Sequence, residues 1–74
     1  MKIQNLDMAA ALIVATDQEP TLTDPREGLV NFVFPSTEGI RDAAVSYYSD
    51  DLYLPAKKLL RVRGALYKKL REVK

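Results

Sequence analysis

Leu29-Val30-Asn31-Phe32-Val33-Phe34 is the stretch whose reading decides the fold. In an extended chain side chains alternate between two faces, so Val30, Phe32 and Phe34 share one face and Leu29, Asn31 and Val33 the other. The Phe face needs a covering layer. Just upstream, Asp24-Pro25-Arg26-Glu27-Gly28 carries turn chemistry, because Pro25 suits the second position of a type I turn and Gly28 accepts positive φ. Glu19–Asp24 then becomes the partner strand. The spacing predicts a β-hairpin with a four-residue connection.

Working outward, Pro35 ends the strand, and Ser36 can cap a helix from Thr37 to about Ser49 whose core stripe is Ile40, Ala43, Ala44 and Tyr47. Ser49-Asp50-Asp51 breaks it. Pro55 fits the first position of a last helix reaching roughly Val73, with Leu59, Val62, Leu66, Leu70 and Val73 in one narrow arc. Gly64 is the weak point of that helix. On the N-terminal side, Asn5 is a natural N-cap for Leu6–Ala15, which has apolar residues at Leu6, Ala9, Ala10 and Ile13 and again at Met8, Leu12 and Ala15. A helix apolar on most sides is buried on most sides, which calls for several covering elements or a second chain. Pro20 forbids its continuation. The expected fold is therefore α+β: one domain over residues 1–74 in the order α-β-β-α-α, a β-hairpin packed against three helices.

Seventy-four residues hold one core only, and a chain of this size buries roughly 60% of its unfolded surface. There is no Cys and no His, so disulfides and the usual structural-zinc ligand sets are closed to it. The longest apolar run, Met8–Ala15, is far short of the ~20 residues that span a bilayer, and Asn5 and Asp7 make it read as part of the domain rather than as a signal segment. The expected setting is cytoplasmic, with no membrane, metal or cofactor.

Catalysis finds little to work with. Without His there is no ordinary catalytic triad. Asp50-Asp51 is the sole acidic pair, and neighbours in a turn diverge rather than converge. Gly28, Gly39 and Gly64 are too scattered to cradle a phosphate. The sequence reads as a non-enzyme.

Charge is the informative feature. The net of +1 hides a division: residues 57–74 hold eight bases against one acid, a net of +7, and residues 1–56 hold three bases against nine acids, a net of −6. Lys57, Lys58, Arg61, Lys68, Lys69 and Arg71 are the candidate phosphate contacts of a nucleic-acid surface, and Tyr53 and Tyr67 the candidate stacking platforms for unpaired bases. The same charges can instead solvate the outer face of an amphipathic helix, or fold back onto the acidic body. Two functions follow. The first is a binding module for a protein partner or for a second copy, as a weak homodimer through the free side of the first helix or the hairpin edge. The alternative is a nucleic-acid-binding accessory protein of a phage or mobile element.

Asn5-Leu6-Asp7-Met8-Ala9-Ala10, Phe32-Val33-Phe34, Tyr47-Tyr48 and the Pro55-led basic helix ending near Tyr67 together resemble a small bacterial and phage-borne domain family of unknown function. The resemblance spans nearly the whole chain and departs at Leu54, where a polar cap is the expected residue. It implies the fold and a bacterial or phage setting, and it implies no active site.

Overall fold

The computed structural model describes residues 1–23 and 30–73. Its elements run β1 (Lys2–Ile3), α1 (Leu6–Thr16), β2 (Thr21–Leu22), β3 (Phe32–Val33), α2 (Glu38–Tyr48) and α3 (Ala56–Val73). The α+β class stands, and one element is added to the expected order. Residues 2 and 3 form a strand that pairs antiparallel with β3, Lys2 opposite Val33 and Ile3 opposite Phe32. The hairpin strands pair Thr21 with Val33 and Leu22 with Phe32, so the sheet order is β1-β3-β2. β3 is central, and the hairpin edge expected to be unpaired on its far side is taken by β1. The ladders are shorter than the strands expected at Glu19–Asp24 and Leu29–Phe34. Beyond them, the Thr23 N–H donates to the Asn31 carbonyl (3.0 Å) and the Asn31 N–H to Thr23 Oγ1 (2.9 Å). The Asp24–Gly28 turn and Leu29 lie outside the described residues.

α1 starts as its sequence dictates. Asn5 is extended (φ −73°, ψ 118°), and its Oδ1 accepts from the Met8 N–H at 3.1 Å, satisfying one of the orphan donors of the first turn. The helix ends before Pro20 can act: Asp17 turns left-handed (φ 58°) and its N–H donates to the Ile13 carbonyl at 2.8 Å. Between these ends every residue from Met8 to Val14 is buried. The covers come from the same chain. α2, α3 and β1 all pack on α1, and Phe32, Phe34, Leu12 and Ile40 are the largest side chains fully removed from water. Over Met8–Val14 the burial is supplied within the chain itself. Ala9 and Ala10, both at zero exposure, let neighbouring elements approach closely.

In α2 the cap is Thr37 rather than Ser36. Its backbone is extended, and its Oγ1 accepts from the Ile40 N–H at 3.2 Å. Ile40, Ala43 and Ala44 are buried, with Tyr47 packed against the same cluster. The C-terminal end explains the acidic pair. Asp50 is left-handed (φ 61°), its N–H donates to the Tyr47 carbonyl (3.2 Å), and the Asp51 N–H donates to the Ser46 carbonyl (2.9 Å). This is a Schellman stop with Asp where Gly is usual. α3 begins one residue after Pro55, whose carbonyl accepts from the Leu59 N–H at 3.0 Å. Leu66 is buried and Leu59, Val62 and Leu70 pack on the core, as their arc predicts; the Val73 side chain lies outside the described residues.

Two stability outcomes follow. Phe32→Ala removes a side chain at 1% exposure and should cost about 3–5 kcal/mol, enough to abolish a cooperative melt in circular dichroism. Asp50→Gly relieves a left-handed non-glycine residue and should raise stability by about 0.5–1 kcal/mol, read from the denaturant midpoint at unchanged slope.

Candidate interaction surface

The bases of α3 divide into two groups. Lys58 and Lys69 are three turns apart on one flank of the apolar arc, and Arg63 stands on the other. Each meets a carboxylate of the acidic body: Lys58 Nζ lies 3.9 Å from Asp17, Lys69 Nζ lies 3.4 Å from Glu19, and the Arg63 Nε–H donates to Asp7 Oδ1. The ion pairs bracket the seam by which α3 packs on α1. All six side chains are about half or more exposed, so each pair contributes roughly 0–1 kcal/mol, and the apolar arc of Leu59, Val62, Leu66 and Leu70 sets how α3 sits.

Lys57, Arg61, Lys68 and Arg71 form the second group. They are exposed on the outer side of α3, and no carboxylate of the described residues is within ion-pair distance of them. The six bases singled out in the sequence are thus not one equivalent set, since two are held by Asp17 and Glu19. Tyr67 is 48% exposed on α3, whereas Tyr53 is 88% exposed in the connection between α2 and α3.

The charge reading missed an apolar surface. α2 and α3 each pack on α1 and barely on one another, which leaves a groove of about 350 Å³ between them. Its lining is Ala11 of α1, Tyr47 of α2, Leu59 and Leu60 of α3, and the Asp7–Arg63 pair. Tyr47 is braced edge-to-face by Tyr48, with ring centroids 6.0 Å apart. Leu60 is 66% exposed at the rim, and Tyr67 follows it two turns along the same side of α3. A signal for this existed in the sequence: Leu60 and Tyr67 fall outside the arc of Leu59, Val62, Leu66 and Leu70, so the core does not account for them.

Among the described residues no group of three or more His, Cys, Asp or Glu side chains could hold a metal ion, and no helix is long and apolar enough to cross a membrane. No protein-family model, curated protein or solved structure matches the chain.

Arg63→Ala should lower stability by no more than about 1 kcal/mol, and raising salt from 0.1 to ~1 M should largely erase the difference. A larger, salt-independent loss in thermal melts would mean that the Arg63 stem is packed.

Proposed function

We propose that the chain is a non-catalytic binding module of the cytoplasm whose ligand is a protein surface, that of another chain or of a second copy. The observation that carries this reading is an apolar groove between α2 and α3 continued by the exposed Leu60 and Tyr67. Apolar surface of this kind, rimmed by charge, is what association sites offer and what a solvated helix face lacks. The cysteine-free composition supports the compartment.

The nucleic-acid reading has its own support in Lys57, Arg61, Lys68 and Arg71, which carry no ion pair among the described residues. It is weakened because Lys58 and Lys69 already face Asp17 and Glu19, which bring negative charge to the edge of the same surface.

A photo-reactive benzoyl-phenylalanine at position 60, with position 41 as control, separates the two in cells. The expected result is a discrete adduct from position 60 alone that resists nuclease and yields to protease. A nuclease-sensitive adduct would move the assignment to nucleic acid. Anisotropy with short single- and double-stranded oligonucleotides should then show saturable, steeply salt-dependent binding.

A further inference from the structure

α3 carries two seams. One is Leu59, Val62, Leu66 and Leu70, spent on the core. The other is Lys57, Leu60, Gly64, Tyr67 and Arg71, which recur at alternating intervals of three and four residues, the spacing of a helix–helix contact line. Leu60 and Tyr67 on this line are exposed, and a Cβ added at Gly64 would meet nothing within 4 Å, so the centre of the line is open. We propose that this seam, with the groove beside it, seats one helix of an acidic amphipathic protein segment. Apolar residues of that helix lie along Leu60–Gly64–Tyr67, and carboxylates toward its two ends face Lys57 and Arg71. The inference rests on the protein-binding reading above and supplies the chemistry of the partner.

Two arguments set the sign of the partner's charge. The bases bordering the seam, Lys57, Arg61, Lys68 and Arg71, have no acidic partner among the described residues, while Lys58, Arg63 and Lys69 beside the core seam each have one. A helix laid on the outer seam therefore enters a field that is net positive among the described residues, four bases against the single acid Glu72 of the same helix. The second argument removes the simplest self-pairing. With α3 of a second copy as occupant, an antiparallel arrangement sets Lys57 against Arg71, and a parallel one sets each base against itself. Both bring like charges together, which selects against that pairing. The missing side chain at Gly64 lets a partner backbone approach closely at the middle of the seam. From Lys57 to Arg71 the seam is ~21 Å long, about four turns of helix.

The test uses two fluorescein-labelled synthetic amphipathic helices with the same Leu/Ala seam, one with Glu and one with Lys over the polar face. Binding to the chain is followed by anisotropy and by amide chemical shifts. The Glu helix should bind, weaken as salt rises, and shift residues 60–71 together with Tyr47; the Lys helix should bind at least ~10-fold more weakly. Gly64→Leu fills the open centre while improving helix propensity, so it should keep the thermal melt and reduce affinity for the Glu helix by ~10-fold or more. Lys57→Glu with Arg71→Glu should do the same through charge. Equal binding of both helices overturns the acidic partner and leaves the protein-binding reading standing. Binding of neither overturns the inference. So does a set of shifts at the same residues that grows with the chain's own concentration, which would make a second copy the occupant. An oligonucleotide that produces these shifts at lower concentration than the Glu helix overturns both readings.

Discussion

A helix buried at every residue from Met8 to Val14 must be enclosed from all directions by a short chain, and the rest of the architecture answers that demand. Lateral faces of a helix number more than one sheet can cover. The remainder falls to α2 and α3, which meet α1 and leave each other almost alone. Alanine at positions 9 and 10 makes close enclosure possible, since larger side chains would hold the covers apart. The groove is a by-product of the same arrangement. Two cylinders leaning on a third touch it along lines, and the wedge between them stays empty unless side chains are long enough to fill it. Tyr47 and Leu59 narrow the wedge without closing it.

Much of this was legible in the sequence because it is local. Asn5 caps where a short polar side chain precedes an apolar run, Phe32 and Phe34 alternate into the core, and Leu66 sits at the centre of its arc. β1 was not legible. Lys2 and Ile3 have no pattern of their own, and they become a strand only because β3 offers them an edge some thirty residues away. The α2 cap moved by one residue because Ser36 and Thr37 are both competent, and it is Thr37 Oγ1 that accepts from the Ile40 N–H. The groove was illegible for a different reason. It depends on the relative placement of two helices, which no periodicity within either one specifies. Charge was legible only in part: the sequence allows the bases of α3 either to face outward or to fold back onto the acidic body, and the fold divides them, with Lys58, Arg63 and Lys69 beside carboxylates and the others outward.

The two groups of bases have different physical weights. Ion pairs at the flanks of the core seam are screened by water and add little stability. Outward bases with no ion-pair partner among the described residues lower the cost of bringing in an anion, since no pair seen there has to be broken first. The same helix thus keeps one set of charges beside the acidic body and presents another. Tyr67 and Leu60 lie where the second set begins, so apolar and electrostatic contributions to binding would reach a partner together.

The central position of α1 also has a consequence in time. About forty residues separate the end of α1 from the start of α3, and translation at ~5–20 residues per second puts roughly 2–8 s between their appearances. During that interval the most apolar helix of the protein exists without its last cover. β1, made before β3, cannot join a sheet until β3 has followed. The nascent chain therefore carries an unsheltered, sticky cylinder for a period set by topology rather than by the stability of the finished domain, and slower ribosomes lengthen it.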